Sequence, residues 1–149
     1  MILHLEAVSK SLMHLLHRLM AAEQLQEFYL VGGTALALHY GHRKSIDLDI
    51  FTHVPFDANV LSEFLRREFD LNEVAVATNT VLGQINGIKT DFIVHQYPPI
   101  RTIVTINRVR LLSVEDIAAM KLNAIANRGS KKDFWDQIKK AIAANCRIR

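Results

Sequence analysis

Two adjacent glycines at the junction of an apolar strand and a helix constrain the fold of this chain more than any other feature. Residues 28–31 are an apolar run typical of a buried strand, and Gly32 and Gly33 end it. Residues 35–40 favour a brief helix that Thr34 can cap and that ends at Gly41. Because glycine tolerates positive φ and lets other groups approach the backbone closely, this junction predicts a tight turn from strand to helix.

A strand that carries two aspartates follows the glycine turn. Apolar and other side chains alternate over residues 46–51, with Asp47 and Asp49 two positions apart. Side chains at that spacing in a strand lie on the same face, roughly 6.5–7 Å apart. Two such carboxylates repel each other unless a cation lies between them, and Mg²⁺ prefers hard oxygen ligands. The alternative is a charged strand edge that is protected from aggregation.

The remaining pattern predicts a mixed sheet with flanking helices. Helical periodicity or capping signatures predict helices over residues 4–24, 57–69, 114–128 and 130–144. Asp57 and Ser113 are the predicted caps of the second and third of these helices. Alternation and turn signals predict further strands over residues 73–77, 81–85, 89–95, 102–106 and 109–112, with hairpin turns at Asn86-Gly87 and Asn107-Arg108. This order predicts one α/β (α+β) domain over residues 1–149, with a core at about 28–112 and a C-terminal helical pair at about 114–144.

The composition fits a globular protein of one domain. Half of the 149 residues are hydrophobic and 22% are charged, which excludes a disordered chain. Cys146 is the only cysteine, so an intramolecular disulfide is excluded and a reducing cytoplasm is favoured. No stretch approaches the roughly 18 apolar residues of a membrane span. The net charge of +3 is compatible with an RNA or nucleotide partner without requiring one.

A third carboxylate, Asp91, lies in a predicted strand beside an apolar run, although aspartate is a poor strand former. Next to Asp47 and Asp49, it would complete a clamp for two metal ions. In such a clamp one ion activates an attacking hydroxyl and the other stabilises the leaving pyrophosphate. The alternative is a polar residue near the hairpin turn at residues 86–87.

Phosphate groups could bind at two further places. A helix that begins at a glycine turn points free N–H groups and its positive dipole end at an anion, and Thr34 could add a hydroxyl. A plain turn is the alternative. Lys121 and Arg128 are seven residues apart on one predicted helix, so they share a face roughly 10.5 Å apart. They could bind phosphates or RNA, or form a solvated face, and Asp133 could be a capping residue.

Two strings of residues resemble a known family. Residues 32–38 (GGTALAL) and 41–51 (GHRKSIDLDIF) look like the signature of the AbiEii/AbiGii toxin family of nucleotidyltransferases. This family belongs to the DNA polymerase beta-like nucleotidyltransferase superfamily. Residues 116–136, with Lys121, Arg128 and Asp133, are similar to the family's helical motif and follow in the expected order. The resemblance covers about residues 28–137.

The resemblance implies a nucleotidyltransferase fold, a small mixed β-sheet flanked by helices, and transfer of a nucleotide from an NTP with two Mg²⁺ ions and release of pyrophosphate. The implied metal ligands are Asp47, Asp49 and Asp91, and Asp91 could instead accept the proton of the attacking hydroxyl. The implied nucleotide-binding residues are Gly32, Gly33, Thr34, Ser45, Lys121 and Arg128. Lys121 and Asp133 join the three carboxylates as implied catalytic residues.

The resemblance also implies a biological setting. The acceptor would be a hydroxyl on RNA, with tRNA first, or on protein, and the chain would be the toxin of a bacterial toxin–antitoxin or phage-defence pair with a cognate antitoxin. Family members are commonly longer, so the acceptor-binding part is expected to be short here or supplied by another chain. The alternatives are a small antibiotic nucleotidyltransferase and a non-catalytic RNA- or protein-binding module of the same fold.

Overall fold

A computed structural model describes residues 2–126, and these residues form a seven-stranded mixed sheet with α-helices packed on it. The strands are β1 (Tyr29–Val31), β2 (Leu48–Thr52), β3 (Asn72–Ala77), β4 (Thr80–Ile85), β5 (Ile88–Val94), β6 (Val104–Ile106) and β7 (Val109–Leu111). The helices are α1 (Lys10–Ala21), α2 (Gly32–Tyr40), α3 (Ala58–Phe69) and α4 (Val114–Ala126). The predicted mixed α/β sheet is confirmed.

The strand order is β3-β4-β5-β2-β1-β7-β6. At the centre, β2 pairs in parallel with β5 and antiparallel with β1, and β1 pairs in parallel with β7. Antiparallel hairpins complete both ends of the sheet. The two parallel pairs place strands that are distant in the chain side by side, and the candidate site lies on one of them.

The core lies on one face of this sheet. Val81, Phe92, Ile50, Leu30 and Leu111 are register partners in turn across five strands, and each is at most 1% exposed. Apolar side chains of α1 and α3 belong to the same core cluster. Because strand side chains alternate between faces, the neighbouring residues of the central strands face the opposite side, which carries the candidate site.

The predicted helix over residues 4–24 is wrong, because the chain forms three shorter elements there. A 3₁₀ turn at Leu5–Ala7 precedes α1, and a second at Glu23–Leu25 follows it. Ser9 is the N-cap of α1, in an extended conformation, and its hydroxyl accepts a hydrogen bond from the Leu12 N–H at 3.1 Å. A serine that satisfies an N–H at the start of a helix favours a new beginning over a continuous helix.

The predicted cap at Thr34 is also wrong, because α2 already begins at Gly32. Val31 occupies the N-cap position without a side-chain hydrogen bond, and Thr34 lies within the first turn. Gly32 has φ +72°, which turns the chain from β1 into the helix within one residue. At its other end α2 stops at Gly41, as predicted, with φ +63°.

Both predicted hairpin turns are confirmed. Asn86 and Gly87 have φ +52° and +76°, the left-handed pair that a type I′ turn requires. Asn107 and Arg108 repeat this geometry between β6 and β7. Asp57 also caps α3 as predicted, since its side chain accepts hydrogen bonds from the backbone N–H groups of Asn59 and Val60. Of the helices within residues 2–126, none is long and apolar enough to cross a bilayer.

Candidate active site

Two of the predicted carboxylates lie side by side on the open face of the sheet. Asp49 of β2 and Asp91 of β5 are register partners, and Val31 of β1 lies on the other side of Asp49. Residues directly opposite each other on paired strands point to the same face. Asp91 is 7% exposed and Asp49 is half-buried. Two acids that are 42 positions apart in the chain therefore share one small region.

The negative charge of these two carboxylates is only partly balanced by the neighbouring lysines. Burial raises the pKa of Asp49, and the neighbouring Asp91 charge raises it further, against weaker opposition from Lys89 and Lys121. Asp91 Oδ2 forms an ion pair with Lys89 Nζ at 3.3 Å, but the lysine side chain is 60% exposed. Asp91 Oδ1 is buried, and none of the described residues gives it a hydrogen bond.

The carboxylate oxygens of Asp49 and Asp91 are suitable ligands for a divalent metal ion. Carboxylate oxygens are hard ligands, and a buried oxygen without a partner carries a cost that a cation removes. Asp47 lies one residue before β2, and its charge also contributes to the raised pKa of Asp49. Within residues 2–126, no three His, Cys, Asp or Glu side chains form a ready-made metal cage. Asp47 as a third metal ligand therefore stays a prediction.

The glycine turn lies directly against one of the carboxylates. A Cβ atom on Gly32 would lie 2.6 Å from Asp49 Oδ2, so a larger residue would displace the carboxylate. None of the side chains in residues 2–126 caps the first turn of α2. The first N–H groups of a helix have no partners within the helix, so this turn offers donors and a positive dipole end beside the two acids.

Arg43 is a site residue that the sequence analysis did not identify. Its guanidinium packs on Gly33, where a Cβ atom would overlap Nη2. Burial lowers the pKa of Lys121 on α4, the nearby Arg43 charge lowers it further, and Asp49 opposes the shift. Arg43 and Lys121 thus place positive charge around the start of α2. The signal was present, since Arg43 belongs to the basic loop between Gly41 and the aspartate strand.

His42, in the same loop, adds no charge to this group. Burial lowers the pKa of its imidazole, and the charges of Arg43 and Lys121 lower it further. Neither ring nitrogen has a hydrogen-bond partner in the described part of the chain. The positive charge near the glycine turn therefore comes from the arginine and the lysine.

Thr34 and Ser45 connect α2 to the aspartate strand. The Thr34 hydroxyl donates to the carbonyl oxygen of Asp47, and Ser45 Oγ lies 2.6 Å from Thr34 Oγ1. Thr34 is only 2% exposed. These contacts hold the segment that precedes β2 against the helix and thereby position Asp47. Direct contacts of Thr34 and Ser45 with a nucleotide stay predictions.

A cavity of about 190 Å³, here called the active-site cavity, joins these parts. Gly32, Asp49 and Lys121 line it, and the apolar side chains of Val31, Phe51, Ile117 and Met120 complete its wall. The lining of this cavity thus brings together the glycine turn, one carboxylate and one lysine of the predicted set, and Asp91 is the register partner of that carboxylate. Arg128 and Asp133 lie outside the described residues.

Comparison with known proteins agrees with this geometry. Residues 14–98 match the sequence model of a family described as "Nucleotidyl transferase AbiEii toxin, Type IV TA system". An uncharacterized protein of Aquifex aeolicus (strain VF5) is 40% identical over 114 residues, which are 74% of this chain and 55% of the relative. The chain therefore spans about half the length of this curated relative.

Solved structures share the fold. The structure of ANT(2″)-Ia in complex with adenylyl-2″-tobramycin superposes with a TM-score of 0.60 at 15% identity, covering 91% of this chain and 90% of that one. A CCA-adding enzyme in complex with CTP superposes with a TM-score of 0.51 at 22% identity, covering 78% of this chain and 31% of that one. At these identities the likeness concerns the fold alone.

Proposed function

Because the chain belongs to the AbiEii nucleotidyl transferase toxin family, we propose that it moves a nucleoside monophosphate from an NTP to an acceptor hydroxyl in a Mg²⁺-dependent reaction. The observation that carries the proposal is the register pairing of Asp49 with Asp91, directly beside the glycine turn. Carboxylates for metal ions and N–H donors for phosphates are the two things such a reaction requires.

The first turn of α2 would bind the triphosphate. No side chain in the described part of the chain caps its N–H groups, and Arg43 and Lys121 supply positive charge around it. Gly33 lies under the Arg43 guanidinium, so this arginine must shift to admit a phosphate or must bind the phosphate itself. Thr34 and Ser45 would serve mainly by positioning Asp47, and Arg128 and Asp133 remain proposed nucleotide and catalytic residues.

Asp49 and Asp91 would hold the metal ions, with Asp47 as the third ligand. Two bound Mg²⁺ ions would supply neutralisation of phosphate charge and a lowered pKa for the attacking hydroxyl. The acceptor oxygen forms its bond to the α-phosphorus while the bond to the pyrophosphate oxygen breaks. The hydroxyl proton needs a base, and in the alternative to its metal role Asp91 would accept this proton on its buried Oδ1. The protein contributes positioning and charge, with little covalent chemistry of its own.

The acceptor we propose first is RNA, with tRNA as the leading candidate and a protein hydroxyl as the next. The family description names a type IV toxin–antitoxin system, which supports a toxin role with a cognate antitoxin in the bacterial cytoplasm. The CCA-adding enzyme among the structural neighbours binds CTP, in line with an NTP as donor. One observation favours a second candidate, an antibiotic hydroxyl, because the neighbour of nearly equal length holds adenylyl-2″-tobramycin.

Label transfer tests the proposal. The purified protein is incubated with each α-labelled NTP, Mg²⁺ and total bacterial RNA, in parallel with Asp49→Asn and the control Asp70→Asn. Asp70 is exposed and has a left-handed conformation that asparagine tolerates, so this change removes a carboxylate remote from the site. We expect the wild type and the control to label tRNA-sized RNA, and Asp49→Asn to lose about 100-fold or more of the rate.

Two results would contradict the proposal in different ways. Label on RNA from Asp49→Asn at the wild-type rate would remove Asp49 from the catalytic site. No label on RNA with any NTP would exclude the RNA acceptor, and the same assay with bacterial protein or tobramycin as acceptor would then decide between the remaining hydroxyls.

A further inference from the structure

A second cavity, of about 280 Å³, adjoins the active-site cavity. Met120 of α4 lines both cavities, so they share a wall at this residue. The remaining wall of the second cavity comes from β1, the segment after β5 and α4, and its lining includes Tyr29, His95, Tyr97 and Asn123. This second cavity is called the base cavity here.

The base cavity lies one step along the sheet from the carboxylates. Tyr29 and Phe51 are register partners on β1 and β2, as are Val31 and Asp49 two residues away. Residues two apart on a strand are roughly 7 Å apart on the same face. On β1 this step leads away from Gly32 and therefore away from the proposed triphosphate site. When the β- and γ-phosphates of an NTP lie at the glycine turn, its nucleoside extends from the α-phosphate away from that turn, toward Tyr29.

Aromatic side chains connect the two cavities. The rings of Phe51 and His95 have centroids 6.4 Å apart at an interplanar angle of 32°. His95 in turn meets Tyr97 edge to face at 5.9 Å. Tyr97 is 58% exposed, so its ring surface is available. Aromatic faces stack on nucleobases, and the exposed Asn123 amide offers both a donor and an acceptor at the cavity.

The outer wall of the base cavity is held in place by α4. Asp116 in its first turn accepts hydrogen bonds from the backbone N–H groups of Ile100 at 2.8 Å and Arg101 at 2.9 Å. Ser113 donates its hydroxyl to the same carboxylate at 2.8 Å. Pro98 and Pro99, with fixed φ angles, stiffen the segment in front of this contact. The cavity is therefore formed before any ligand arrives, which lowers the entropic cost of binding.

The charge of the lining selects the kind of ligand. No lysine or arginine of the described residues lines the base cavity, whereas Lys121 lines the active-site cavity. Phosphates would find no counter-charge there, and an RNA strand generally requires basic groups along its path. An uncharged, flat, aromatic ring suits the lining. We propose that the base cavity binds the nucleobase of the incoming NTP, an inference that rests on the proposed function.

Filling the cavity tests this inference. Ala119 is exposed on α4 and lines the base cavity but not the active-site cavity, so Ala119→Phe adds a ring only there. Val60→Phe, at an exposed position of α3, is the matched control. Calorimetry with Mg²⁺ and no acceptor would measure the affinities of ATP, GTP, CTP, UTP and inorganic tripolyphosphate for each protein.

We expect Ala119→Phe to weaken the binding of the preferred NTP about tenfold, the order of one lost stacking contact, and to leave tripolyphosphate binding unchanged. The control should change neither affinity. Tyr97→Ala, which removes an exposed stacking surface and carries little risk to folding, should weaken NTP binding in the same selective way. Selective loss in both variants supports the base cavity.

Three results would overturn the inference. An unchanged NTP affinity in Ala119→Phe would place the base elsewhere. Equal losses of affinity for NTP and for tripolyphosphate would show that the cavity does not bind the base separately from the phosphates. In a separate titration with tRNA, a loss of RNA affinity in Ala119→Phe with unchanged NTP affinity would assign the cavity to the acceptor. A wild type that binds neither NTP nor tripolyphosphate would instead contradict the proposed function itself, so the two failures are distinguishable.

Discussion

Gly32 and Gly33 are neighbours in the chain with different tasks. Gly32 needs its positive φ to turn β1 into α2, and its missing Cβ leaves space for the Asp49 carboxylate. Gly33 leaves space for the end of the flexible Arg43 side chain. One glycine is therefore tied to the backbone and a proposed metal ligand, and the other to a side chain that can move.

Alanine substitution should separate these tasks. Gly32→Ala is expected to lower the free energy of unfolding by about 1–2 kcal/mol, because its φ is unfavourable for alanine. It should also abolish nucleotidyl transfer, because the new Cβ displaces Asp49. Gly33→Ala should unfold like the wild type and raise the KM for NTP, since only Arg43 must move. Urea unfolding and label transfer measure both effects, and an active, stable Gly32→Ala would refute this account.

The site residues that could be predicted from the sequence are those on strands, because the periodicity of a strand determines the face on which each side chain lies. A strand fixes the face of every second residue, so Asp49 could be expected on a polar face, with Asp91 beside it once the strands pair. Arg43 lies in a loop without periodicity, and its contact with Gly33 depends on how that loop folds back. Lys89 was missed for a related reason, since an exposed basic residue is ordinary until a buried carboxylate is seen beside it.

Among the elements, α4 links the sheet to both cavities through its first turn. The Ser113 hydroxyl accepts a hydrogen bond from the Asp116 N–H at 3.1 Å, as expected of a helix N-cap, and donates to the Asp116 carboxylate at 2.8 Å. The same carboxylate accepts hydrogen bonds from the segment that follows β5. Burial alone would raise the pKa of Asp116, but the hydrogen bonds from Ile100, Arg101 and Ser113 together outweigh it and lower the pKa.

The lowered pKa of Asp116 predicts a defined pH dependence. The ionised carboxylate stabilises the fold above the pKa of an unfolded aspartate, about 4, and this contribution is lost as the pH falls through the lower folded value. Asp116→Asn should therefore reduce the free energy of unfolding by about 2 kcal/mol at pH 7, and the difference from wild type should shrink below pH 4. Urea titrations across this range measure it, with the exposed Glu115→Gln as control. A constant difference would exclude the carboxylate's charge as the cause.

Element boundaries show where local sequence suffices. The type I′ turns and the caps at Asp57 and Ser113 follow from short-range chemistry, and the structure has them as predicted. At Thr34 the local signal was misleading. Its hydroxyl could cap a helix, but Asp47 and Ser45 provide partners that only the folded loop brings near. Such competition between a local and a distant partner cannot be decided from one sequence.

On the scale of the whole molecule, the site opposes the stability of the fold. Burial and the adjacent Asp91 raise the pKa of Asp49, so ionising this carboxyl costs more free energy in the folded chain than in the unfolded chain. The free energy of unfolding therefore carries a penalty that a bound cation would remove. With Asp49 as the proposed metal ligand, function and stability are in conflict at this position, as is common for catalytic groups.

Asp49→Asn should reveal this conflict. Without metal ions, the variant is expected to have a higher Tm than the wild type by a few degrees, about 3 °C for each kcal/mol of relieved repulsion. The difference should narrow as the pH falls toward the raised pKa, because the wild-type carboxyl then becomes neutral. Mg²⁺ should raise the Tm of the wild type and of Asp70→Asn, but not that of Asp49→Asn. A lower Tm for Asp49→Asn would mean that the carboxylate stabilises the fold.

The parallel pairing of β2 with β5 also determines when the site exists. The β3-β4-β5 hairpins can form from local contacts, whereas β2 must wait for the chain that follows it before it can join β5. During synthesis, the segment with Asp49 leaves the ribosome before the segment with Asp91. A growing chain therefore has no pair of facing carboxylates until β2 pairs with β5. The proposed active site is assembled only in the completely folded protein.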